Sequence, residues 1–101
     1  MDAPRVFTAS RLTSGNLIFP TRIEVTPERL VRIKPRWIGR SEESMPISKI
    51  ASVAITTGLI FSTIRIDSTG STVPILSAGH TKGDAIALRD LIHSYQAARA
   101  S

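Results

Sequence analysis

The chain of 101 residues contains no cysteine. That excludes disulfides, thiolate nucleophiles and cysteine metal clusters, and it fits a reducing, cytoplasmic compartment. Histidine is scarce: His80 and His93 stand 13 residues apart without a second liganding pair at an HxxxH-like spacing, so no metal site is expected. His80 reads as a solvated residue near a helix start and His93 as one on a helix flank. No hydrophobic run reaches the roughly 20 residues of a membrane-spanning helix; the uncharged stretch 50–64 is 15 residues long and Gly58 interrupts it. The N-terminal "MDAPRVFTASRLTSGN" has Asp2 and no continuous apolar segment of signal-peptide length, so the mature chain is expected to be the whole chain. Gly79 and Gly83 bracket "HTK" without phosphate-loop spacing. Acidic residues are few, and nothing places a base beside a nucleophile in a recognisable motif. No enzyme activity and no cofactor are expected.

What is present fits one domain with one modest core. The net charge is +5, and residues 1–40 carry all of the excess, with eight Lys and Arg against three Asp and Glu. Such a balance favours an acidic partner in general terms without distinguishing nucleic acid, lipid head group or protein. Hydrophobic periodicity says more. In "TRIEVTPERLVRIKPRW", Ile23 and Val25 alternate with polar neighbours. After "TPER", Val31 and Ile33 alternate with Leu30, Arg32 and Lys34, which predicts a hairpin with one buried face. Gly39 in "WIGR" supplies a turn, and "RSEESMPI" returns antiparallel, with Met45 and Ile47 continuing the apolar pattern. "KIASVAIT" reads as a strand with Ile50, Ser52, Ala54 and Thr56 on one side and Ala51, Val53 and Ile55 on the other. Gly58 breaks it before "LIFSTIRIDS", and "STGS" turns the chain into "TVPIL", where Pro74 demotes the strand to an edge or a bulge.

In "GHTKGDAIALRDLIHSYQAARA", Ala85, Leu88, Leu91, Ile92 and Tyr95 form one apolar helical stripe, with Arg89, Asp90 and Gln96 away from it. Thr81 and Asp84 suit the N-cap and the first turn. The expected fold is therefore mainly β with one C-terminal helix: a strongly bent antiparallel sheet, or partly open barrel, of six to seven strands capped by that helix. Residues 1–15 are read as an N-terminal segment in which "RVFTASRL" could add a strand, and residues 16–101 as the domain. This order of elements, together with "IEVTPERLVRI", "MPISKIASVAITTGLIFSTIRIDSTG" and "GHTKGDAIALRDLI", resembles the bacterial pleckstrin-homology-like domains over residues 16–96. The resemblance implies a two-layer, orthogonally curved sheet with a capping helix, a non-enzymatic role, and frequent self-assembly into rings.

Three features are candidates for binding. Arg32, Lys34 and Arg36 are spaced by two along a strand, project opposite Val31 and Ile33, and with Arg40 form a basic patch for an anionic ligand. If the hairpin turns at Ile38 and Gly39, Lys34 instead lies across from Glu43, and an ordinary ion-paired sheet surface is the preferred reading. Pleckstrin-homology domains that grasp inositol phosphates use basic residues around the loop between their first two strands; here that loop is read as "TPER", too short to wrap a head group. The second feature is "GLIFSTIRID". If Ile60, Ser62, Ile64 and Ile66 face the core, Leu59 and Phe61 face outward as a contact for a second copy or another protein, unless the N-terminal segment covers them. Trp37, the third, shares parity with Val31 and Ile33 and is expected at the core edge, with contact to a membrane interface as the alternative. The reading is a cytoplasmic, non-catalytic interaction module, expected to be a homo-oligomer. Peripheral binding to anionic lipid is the rival, and nucleic acid is disfavoured because Trp37 is the only aromatic group near the basic ones.

Overall fold

The computed structural model describes residues 4–10, 20–70 and 72–100. Seven strands precede one helix: β1 (Arg5–Thr8), β2 (Arg22–Val25), β3 (Arg29–Pro35), β4 (Arg40–Pro46), a 3-10 turn (Ile47–Lys49), β5 (Ile50–Thr57), β6 (Phe61–Ser68), β7 (Ile75–Thr81) and α1 (Lys82–Ala100). They form two antiparallel sheets, ordered β1-β2-β3-β4 and β5-β6-β7. The class is mainly β with a C-terminal helix, without a closed barrel among the described residues, and is consistent with a pleckstrin-homology-like fold. The expected domain start at residue 16 lies outside the described residues. Within the segment before it, β1 pairs with β2 and sends Phe7 into the common core.

Turn geometry decides which face of each strand is buried. The Thr26 amide donates to the Arg29 carbonyl, so Pro27 and Glu28 alone make the β2-β3 turn, and Val25 stands directly opposite Leu30. Directly opposed residues share a face. Leu30 therefore joins Ile23 and Val25 in the core. Val31 is only half-buried, while Ile33 is buried on the other face of the sheet. Val31 therefore does not line the core as expected, whereas Ile33 is buried as expected but on the face opposite Leu30. The "TPER" turn also joins β2 to β3 rather than the first two strands, which are connected through residues 9–21. The shortness of "TPER" therefore says nothing about the loop between the first two strands.

In the second sheet, a register slip between Ile50 and Ser52 lets Ile50 and then Val53 and Ile55 face inward although their parity differs. Ser62, Ile64 and Ile66 are buried, as their alternation predicts. β7 lies at the sheet's edge and begins directly after Pro74. It carries a bulge opposite residue 63, where Gly79 takes φ +86°, a backbone region open to glycine. There the Gly79 carbonyl accepts a 2.8 Å bond from the Ser10 amide, just beyond β1. At its other end Ile75 shares an open cleft of about 410 Å³ with Ser44 and Met45 of β4. β7 thus runs from beside the β4 end of the first sheet to just beyond β1.

α1 starts where the Thr81 hydroxyl accepts the Asp84 amide at 3.2 Å. Ala85, Leu88 and Ile92 are fully buried, with Leu91 and Tyr95 packed beside them, each large side chain contributing about 1.5–3 kcal/mol by burial. Gln96, expected to point away, turns inward: its amide donates to the carbonyls of Ile47 and Ile50 at 3.2 and 2.9 Å. Backbone acceptors left open at the β4-β5 corner bind it there. Among the described residues no helix is long and apolar enough to cross a membrane.

Candidate interaction surfaces

The β3-β4 hairpin turns earlier than its glycine suggests. The Arg36 amide donates to the Gly39 carbonyl, Pro35 pairs with Arg40, and Gly39 takes φ +70° after the turn, so Trp37 and Ile38 form the tip. Both side chains stand in solvent, 82% and 93% exposed. The expectation of Trp37 at the core edge is therefore overturned, because the turn lifts it off the strand. The same shift places Lys34 across from Ser41 and Arg32 across from Glu43; Arg32 Nη1 meets Glu43 Oε1 at 3.0 Å. Arg32 and Lys34 share the face of Leu30, on the inner side of the sheet, because Arg32 opposes Ile23. Arg36 donates to the Ser41 hydroxyl at 3.0 Å. Arg40, of opposite parity, pairs with Glu42 at 2.6 Å. The four cations therefore do not form one patch. Arg32, Lys34 and Arg36 make a stripe running toward the tip, and partial burial together with the flanking Arg32 and Arg36 charges lowers the Lys34 pKa below its ordinary value.

The β5-β6 hairpin carries the other exposed apolar tip. The Gly58 amide donates to the Phe61 carbonyl at 2.9 Å, leaving Leu59 and Ile60 as the turn. They are 104% and 73% exposed. Leu59 is outward as expected, and no described residue covers it. Ile60 was expected in the core, but it falls in the turn before the strand begins. Phe61 is half-buried at the strand's first position and presents less surface than expected. A Cβ at Gly58 would lie 2.9 Å from the Phe61 carbonyl oxygen, so the close approach requires glycine. β5 itself is an edge strand whose residues Ser52, Ala54, Thr56 and Thr57 are exposed.

A polar group missed from sequence lies between the sheets. His80 is completely buried at the end of β7 rather than solvated, and its Nε2 is 2.6 Å from the Ser77 hydroxyl. The bulge before it turns the ring inward beside Ser62, its cross-strand partner. His80 Nδ1, the Ser62 hydroxyl and Arg32 Nε are buried without hydrogen-bond partners. Burial lowers the His80 pKa; Asp84 pulls it back up and Arg32 pushes it further down. A sequence signal existed in Gly79, whose bulge reverses parity, but its inward consequence is tertiary. His93 is exposed on the helix. Among the described residues no group of three or more His, Asp or Glu is placed to hold a metal ion. No family model matches the chain, and neither a curated protein nor a solved structure matches it.

Proposed function

We propose that the chain is a non-catalytic module of pleckstrin-homology-like type that binds protein, in the first place itself. The observation that carries this reading is the charge-free stretch 50–64, which forms an edge strand and then an exposed apolar tip at Leu59 and Ile60. Apolar tips and uncharged edges are what monomeric proteins ordinarily blunt with charge or cover. Light scattering after gel filtration tests it: the expected mass exceeds that of the chain and falls in Leu59→Asp. A monomer at every accessible concentration overturns it.

A specific observation favours a second reading, peripheral association with anionic lipid. Trp37 and Ile38 are both exposed at a tip that Lys34 and Arg36 lead up to along one stripe, the pairing of an amphipathic anchor with basic residues that membrane surfaces attract. Vesicles of phosphatidylserine and phosphatidylcholine would capture the protein at low salt, release it as salt rises, and bind Trp37→Ser and Lys34→Glu less. No capture at low salt ends this reading. Both readings place the protein in the cytoplasm, the second at the inner face of a membrane.

A further inference from the structure

We infer that β5 is the contact strand of a two-fold dimer, pairing antiparallel with β5 of a second copy so that two three-stranded sheets become one continuous sheet. The inference rests on the self-association proposed above and names its site and its partner.

The strand pattern shows which backbone groups are free. Because Gly58 and Phe61 form a hydrogen-bonded pair, the antiparallel alternation gives Ala54 and Thr56 to β6 and turns the N–H and C=O of Val53, Ile55 and Thr57 outward. Gln96 occupies only the Ile50 end of this edge.

The other sheet margins are managed differently. β4 carries Arg40, Glu42, Glu43 and Pro46, which discourage a further strand. On the β7 edge the Gly79 carbonyl is taken by the Ser10 amide, just beyond β1. β5, "IASVAITT", has neither charge nor proline.

A second copy suits this edge because a two-fold contact sets each residue against its symmetry mate or a near neighbour, and a charged strand would repel itself. Centred on Ala54, the register pairs Val53 with Ile55 of the second copy through free backbone groups, and Ser52 with Thr56. Ala54 then faces Ala54 at the closer, non-hydrogen-bonded spacing. Pairing along one short strand edge covers less than the roughly 1,200 Å² at which stable interfaces begin, so the dimer is concentration-dependent.

The absence of native cysteine makes the test direct. Ala54→Cys, exposed and at the symmetry centre, should form a disulfide-linked dimer under mild oxidation, as opposed residues at this spacing can. Thr56→Cys, set against Ser52, should not. Ala54→Lys should keep the far-ultraviolet spectrum and thermal midpoint of a folded chain while its light-scattering mass falls to that of a monomer. If self-association survives Ala54→Lys and Ala54→Cys does not cross-link, this site is refuted while self-association stands. A heavier species containing a different protein bound at β5, or a wild-type chain that is monomeric throughout, refutes the dimer.

Discussion

Ile60 and Ile64 have the same side chain four positions apart, and the fold assigns them opposite fates: 73% exposed in the β5-β6 turn and 1% exposed beneath α1. Truncating each to alanine separates burial from chemistry. Ile64→Ala removes side-chain carbons from the cluster that also holds Ile66 and Leu88, and both the lost transfer free energy and the cavity left behind cost stability, about 2–5 kcal/mol in all. Ile60→Ala removes the same atoms from water and costs less than about 0.5 kcal/mol. With a urea dependence of roughly 1–3 kcal/mol per molar for a small domain, Ile64→Ala lowers the midpoint by about 0.7–5 M, whereas Ile60→Ala moves it by no more than about 0.5 M. Equilibrium urea unfolding followed by far-ultraviolet circular dichroism measures both. Equal losses for the two variants, or a larger loss for Ile60→Ala, would refute the strand boundary at Phe61 and the placement of the isoleucines.

Three further outcomes are expected. The folded-state pKa of His80 lies below its ordinary value near 6.5, so its contribution to stability is complete above pH 6.5 and is lost as pH falls through the folded value. Urea midpoints measured from pH 8 to pH 5 should therefore fall in the wild type more steeply than in His80→Leu, and parallel curves would contradict the buried, neutral ring. Gly58→Ala must push the Phe61 carbonyl away from a Cβ placed 2.9 Å from it, at a cost of about 1–3 kcal/mol; an unchanged thermal midpoint would show that the turn is built otherwise. Thr81→Ala removes the hydroxyl that accepts the Asp84 amide and should cost about 1 kcal/mol, whereas Thr81→Ser should retain most of it, as thermal unfolding of the pair would show.

The helix and the strand interiors were legible in the sequence because local periodicity carries them. Ala85, Leu88 and Ile92 recur at helical spacing, and Ser62, Ile64 and Ile66 alternate without interruption, so burial follows from pattern alone. What was not legible arose where one turn residue more or less changes parity. A two-residue turn after Thr26 hands the core to Leu30 rather than Val31, and a turn placed at Trp37 rather than Gly39 moves Glu43 from Lys34 to Arg32. Composition cannot choose between such registers, since both leave an alternating strand. His80 was misplaced for a related reason. A bulge inside β7 extends the strand through "SAGHT", where glycine and histidine before a helix read as a loop. Of the candidate site, the uncharged character of residues 50–64 and the outward Leu59 were legible. The free edge of β5 was not, because it depends on which strands find partners across the whole fold.

Amide hydrogen exchange of β5 as a function of protein concentration reports whether its free edge joins two copies. Protection of Val53, Ile55 and Thr57 should rise with concentration, while that of Ala54 and Thr56, already bonded to β6, stays constant. Fast exchange at the first three at every concentration, in a chain that stays folded, would contradict β5 as the joining edge.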